Sequence, residues 1–151
     1  MAIWITNPSV KPRLTNIHLK HVLRIFLNGI GLSKAHVSLT LTDNSEIHLL
    51  NQTWRNKDKP TDVLSFPQSD ITPKTVHLFE NKPVLLGDII ISRETAYRQA
   101  LQQKRTFEAE MHWLIVHGLL HLVGHDHIHG GIQARRMRLE EQRLLRLLKS
   151  P

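Results

Sequence analysis

The chain has 151 residues, with 20 Lys and Arg against 13 Asp and Glu, and carries a net charge of +7 when its 11 histidines are neutral. It contains no cysteine, which excludes a disulfide scaffold, a thiol nucleophile and any cysteine-ligated centre, so a metal must sit on His, Asp or Glu. The basic excess favours an anionic partner, and 40% hydrophobic with 22% charged residues is the composition of a globular domain.

At this length one domain over residues 1–151 is expected. The opening Met1-Ala2-Ile3-Trp4-Ile5-Thr6-Asn7-Pro8 lacks the basic start and apolar run of a signal peptide. No apolar stretch approaches the ~18 residues of a membrane span. The expectation is therefore a soluble, cytoplasmic protein with no membrane partner.

Ile3 to Thr6, ended by Asn7-Pro8, reads as a first strand. Leu19, Val22, Leu23, Phe26 and Leu27 recur at helical spacing between Thr15 and Asn28, and Asn28-Gly29 supplies a stop. Val37 to Thr42 alternates apolar residues with hydroxyls, the pattern of a strand, and turns at Asp43-Asn44. Ser45 is expected to cap a second helix carrying Ile47, Leu50 and Trp54, followed by a charged loop from Arg55 to Pro60. Val63 to Phe66, fenced by Pro60 and Pro67, reads as a third strand.

Residues 68–83 read as a loop, with a fragment of strand or helix around Val76 to Phe79. Leu85 to Ile91 is nearly continuous in apolar residues and is expected to be a central strand buried on both faces, with Asp88 inside it in need of a partner. Ser92 is placed to cap a helix to about Gln103. A further helix runs from about Thr106 to Val123, stopped by Gly124, and a last one from about Ile132 to Lys149. The expected fold is α+β: a single domain with a mixed four-stranded sheet and about five helices.

Six of the eleven histidines fall between residues 112 and 129. His117 and His121 are four apart, so they lie roughly 40° from one another on a helix face and can share a metal. Gly124 lets the chain turn, and His127 can return over the same face as a third ligand, with His125 and His129 as alternatives on either side of it. Three imidazoles leave a tetrahedral zinc one open position, the layout of a catalytic centre at the end of the helix, with one zinc per chain.

The spacing H-x-x-x-H-x-x-G-x-x-H matches that of metzincin proteases except at Gly118, where those enzymes carry the glutamate base. A peptidase is thereby disfavoured, and a centre of neutral ligands suits an anionic substrate such as a phosphodiester. Asp126, beside the third ligand, can hold an imidazole, accept a proton from the attacking group, or simply stabilise its turn. His112, about 140° around the helix from His117, reads as a core or surface residue. The last helix carries Arg135, Arg136, Arg138, Arg143, Arg146 and Lys149 against Glu140 and Glu141, either a solvated face or a contact surface for an anionic partner such as RNA.

The segment His117-Gly118-Leu119-Leu120-His121-Leu122-Val123-Gly124-His125-Asp126-His127 closely resembles the signature of the YbeY family of bacterial endoribonucleases and ribosomal RNA maturation factors. Asn51-Gln52-Thr53-Trp54-Arg55 with Pro60-Thr61-Asp62-Val63-Leu64-Ser65-Phe66-Pro67, and Leu86-Gly87-Asp88-Ile89, match it in the same order. The resemblance implies a zinc-dependent endoribonuclease acting on single-stranded RNA, with the small ribosomal subunit and the 3′ end of its rRNA as partner and substrate, and a role in ribosome quality control. It implies His117, His121 and His127 as metal ligands and Arg55 as a groove residue beside the metal, where an arginine can serve as a phosphate fork or a surface ion-pair partner. The chain departs from the family at His125, where tyrosine is usual, and at residues 128–133, which lack the usual acidic residues. The rival readings are a ribosome-assembly factor whose zinc is purely structural and, less favoured, a metallopeptidase.

Overall fold

The computed structural model describes residues 2–128 and 130–149. The first helix, α1 (Asn16–Gly29), starts where the Thr15 side chain accepts from the His18 N–H, and it buries Leu19, Val22, Leu23, Phe26 and Leu27 completely. Each such side chain contributes about 1.5–3 kcal/mol of burial free energy. It connects β1 (Ile3–Thr6) to β2 (His36–Thr42), which pair in parallel with Ile5 beside Leu39. β2 pairs in parallel with β4 (Leu85–Ser92), and β3 (Val63–Pro67) runs antiparallel along the other side of β4, giving the order β1-β2-β4-β3. The sheet is mixed and four-stranded, as the sequence leads one to expect, and Pro67 closes an edge strand where its missing N–H costs no ladder bond.

Helix α2 (Asn44–Arg55) differs at its start: Asp43, in extended conformation, accepts from the Glu46 N–H, so the cap is Asp43 and Ser45 lies inside the helix. Both residues are competent caps, and Asp43 comes first as the chain leaves β2. Ser92 caps α3 (Arg93–Gln102) and Thr106 caps α4 (Phe107–Leu122). The last helix, α5 (Gly131–Leu147), begins one residue before the expected Ile132. A single 3-10 turn over Val76–Phe79 interrupts the long loop.

The strand registers set the two faces of the sheet. Leu39, Ile89 and Ser65 lie side by side on the face that meets α4, where Ile89 and Ser65 approach Gly118. Ser38, Asp88 and Phe66 lie side by side on the other face and are only half-buried. The expectation that β4 is sealed on both faces is therefore wrong: Asp88 and Ile90 point away from the main core, which explains how a carboxylate sits in an apolar run without a large desolvation cost. Ile47 of α2 and Leu64 of β3 are buried outside the main core cluster. Helix α4 has buried side chains nearly all round, including Leu114, Ile115, Val116, Leu119, Leu120 and Leu122, the behaviour of a central helix. Among its C-terminal residues, His117 and His121 are only partly buried.

Candidate metal centre and groove

The end of α4 is shaped by Gly124. Its φ of +92° and the Ile71 carbonyl oxygen 2.8 Å from where a Cβ would stand leave room for no other residue. The Gly124 N–H donates to the His121 carbonyl and the His125 N–H to the Leu120 carbonyl, the pair of bonds that closes a helix in a Schellman turn. Three residues later His127 lies back over the helix face. Its ring centroid is 5.1 Å from that of His117 and 5.1 Å from that of His121, and one ring nitrogen from each of the three lies within 4.8 Å of the others.

The donor set fits a divalent transition metal. Nε2 of His117 and Nε2 of His121 are 3.2 Å apart, close to the 3.3–3.4 Å, roughly, that separates two ligands on a tetrahedral zinc with bonds of about 2.0–2.1 Å. Burial, reinforced by the neighbouring His117 and His127, lowers the pKa of His121 to about 4, so its ring is neutral and can ligate at neutral pH. The Glu141 carboxylate on α5 bridges the indole N–H of Trp113, at 2.9 Å, and Nδ1 of His117, at 3.2 Å. That hydrogen bond leaves Nε2 of His117 for a metal, the usual carboxylate–histidine–metal arrangement.

Glu141 is a site residue that the sequence reading missed. The available signal was its place between Met137 and Leu144 on the apolar stripe of α5, where a carboxylate needs a partner. His125 does not join the three rings, and burial lowers its pKa. His129, the other alternative ligand, lies outside the described residues.

A groove of about 570 Å³ passes the three histidines, and Arg55, Lys57, Lys59, Asp62 and Asp126 also line it. Arg55, the last residue of α2, donates to the Ser65 carbonyl and has its guanidinium 5.3 Å from the centre of the Phe66 ring. The structure thus brings Arg55 into the same groove as the three histidines. Asp126 lines the groove as well, and its Oδ1 accepts from the Ile128 N–H at 2.8 Å, which is the turn role. On α5, Arg143 pairs with Glu140 at 2.7 Å and donates to the Gly29 carbonyl, so one of that helix's cations has a structural partner.

Position 118 is filled for a packing reason. A Cβ there would stand 2.8 Å from Cγ2 of Ile89, and the Gly118 carbonyl accepts from the Ser65 hydroxyl. The residue after the first ligand is therefore pressed against the sheet.

A family model described as endoribonuclease YbeY matches residues 6–149. The chain is similar to the endoribonuclease YbeY of Myxococcus xanthus, 48% identical over 121 residues that make up 80% of this chain and 40% of that protein. It is similar also to that of Aquifex aeolicus, 43% identical over 125 residues, 82% of this chain and 78% of the relative. The solution structure of TM1509 from Thermotoga maritima superposes with a TM-score of 0.65 at 27% identity, covering 96% of this chain and 87% of that one.

Proposed function

This chain belongs to the endoribonuclease YbeY family, and on that premise we propose that it is a metal-dependent endoribonuclease whose centre is held by His117, His121 and His127. The observation that carries the proposal is three convergent imidazoles in a groove also lined by Arg55, Lys57 and Lys59. Zinc suits the donors, and when bound it supplies Lewis acidity at the reacting phosphate.

The residues around it divide the work. Glu141 holds the His117 ring by Nδ1. Arg55 has five N–H donors and spends one on the Ser65 carbonyl, so it retains donors for a phosphate while the Phe66 ring and that carbonyl fix its place. Lys57 and Lys59 attract the polyanionic chain into the groove. Asp126 is assigned the proton of the attacking group, with its Ile128 bond setting its orientation. Gly118 supplies no general base, and its packing against Ile89 leaves a glutamate there no room, which disfavours a peptidase.

From the family resemblance, the substrate proposed is single-stranded RNA, with rRNA of the small ribosomal subunit processed near its 3′ end, in ribosome quality control and in the cytoplasm. Among the described residues no helix is long and apolar enough to cross a membrane. The test puts end-labelled RNA, the same RNA with one 2′-deoxy position at the cut site, the equivalent DNA and casein in parallel reactions with and without chelator. The proposal expects chelator-sensitive cutting of RNA alone, and loss of cutting at the deoxy position would identify the 2′-hydroxyl as the nucleophile. Metal-dependent casein hydrolysis without RNA cleavage would replace it with the peptidase. Metal binding with no cleavage of any substrate would favour the assembly factor.

A further inference from the structure

Helix α4 carries a second group of ligand atoms at its other end. His18, third residue of α1, and Glu108 and His112, four apart in the first turns of α4, bring three donors together. Nε2 of His18 is 2.9 Å from Nε2 of His112 and 3.2 Å from Oε1 of Glu108, and Nε2 of His112 is 3.8 Å from the same oxygen. We propose that His18, Glu108 and His112 form a second divalent transition-metal site, separate from the three-histidine centre, that ties α1 to α4.

Geometry and donor chemistry both support this. The edges of the donor triangle bracket the separation of about 3.3–3.4 Å between ligands on tetrahedral zinc. The Nε2 to Nε2 distance is also close to the 3.2 Å found between His117 and His121. Two imidazoles and a carboxylate from two different helices select zinc, cobalt or nickel over magnesium or calcium, which prefer all-oxygen sites. Finally, the ligands are accessible yet partly preformed: the side chain of His112 is 16% exposed, that of His18 32% and that of Glu108 53%. Burial also lowers the pKa of His112, which favours its neutral, ligating form.

The two sites do not compete for ligands. His112 and His117 are five residues apart, which places them about 140° from one another around α4. A metal at the second site would cross-link the start of α1 to the start of α4. The two helices already meet through the main core, to which both contribute buried residues. The expected role is structural, since three ligands drawn from two helices restrain their relative position.

The alternative is a hydrogen-bonded His18–His112 pair with Glu108 as acceptor and no metal. Equilibrium dialysis of the chelator-stripped full chain against zinc, repeated with cobalt to read ligand-field absorption, separates the two. The wild type should bind two ions per chain, and His117→Ala/His121→Ala should still bind one. Glu108→Gln, at a half-exposed position that leaves the fold intact, should weaken only the second ion by about an order of magnitude or more. His18→Gln/His112→Gln should abolish that second ion while the three-histidine centre fills normally, which also keeps this outcome distinct from failure of the proposed catalytic centre. Saturation of the wild type at one ion, or a second ion indifferent to Glu108→Gln and to the double variant, would overturn the proposal.

Discussion

Oε1 of Glu141 lies 3.2 Å from Nδ1 of His117 and thereby determines which nitrogen of the first ligand is free. The same carboxylate holds the Trp113 indole through Oε2. Because the bond crosses from α5 to α4, the last helix takes part in the metal centre without supplying a ligand.

Glu141→Gln should therefore weaken metal binding at the three-histidine centre by about 10–100-fold, the usual effect of losing the partner of a ligand imidazole. Competition with a chromophoric chelator reads this directly. Unchanged affinity would mean that the Glu141 bond does not orient His117.

Gly124→Ala tests the turn. The residue's φ of +92° and the backbone of Ile71 and Thr72 within 2.9 Å of a new Cβ predict a loss of stability of at least about 1–2 kcal/mol in urea denaturation. Since the turn also brings His127 back, the metal affinity should fall together with stability. A neutral substitution would contradict the turn geometry.

Much of this was legible in the sequence, and the exceptions share a cause. The 117/121 spacing, the glycine stop and the return of His127 follow from helical periodicity and from the conformational range of glycine, both local properties. Glu141 and the His18 pairing are tertiary: nothing within a few residues of either marks its partner. The half-buried second face of β4 escapes the sequence for the same reason, since an apolar run does not reveal whether helices cover one side or both. Asp43 displaced Ser45 as cap because two good caps stood two residues apart, and propensity alone does not rank them.

The metal-free protein should show an acid limb from His121. Its pKa in the folded state is about 4, below the unfolded value of about 6.5. A depressed folded value means the group's stabilising contribution is complete above about pH 6.5 and is lost as pH falls toward about 4. The urea midpoint of chelator-treated protein should therefore fall across that window, and His121→Ala should flatten the fall. Identical slopes for both proteins would contradict the assignment.

Arg55→Ala should lower RNA cleavage while metal content stays unchanged. Loss of the bond to the Ser65 carbonyl and of the contact with Phe66 should cost only about 1 kcal/mol of stability. Arg55→Lys should restore charge without the bidentate fork and recover cleavage only in part. Full activity in the alanine variant would remove Arg55 from substrate binding, and a much larger loss of stability would make its role structural.

RNA cleavage that depends on a metal at His117, His121 and His127 must follow the occupancy of those three ligands in a titration. Chelator-stripped protein is given zinc in steps, and endonucleolytic cutting of single-stranded RNA is measured beside bound metal, for the wild type and for His117→Ala, His121→Ala and His127→Ala. Cleavage should rise in proportion to occupancy of the three-histidine centre, reach a plateau when that centre is full, and be absent from all three variants at any occupancy of the His18, Glu108 and His112 group. Equal cleavage by stripped and zinc-loaded protein, or full cleavage by any of the three variants, would show that the three-histidine centre is not required for cutting.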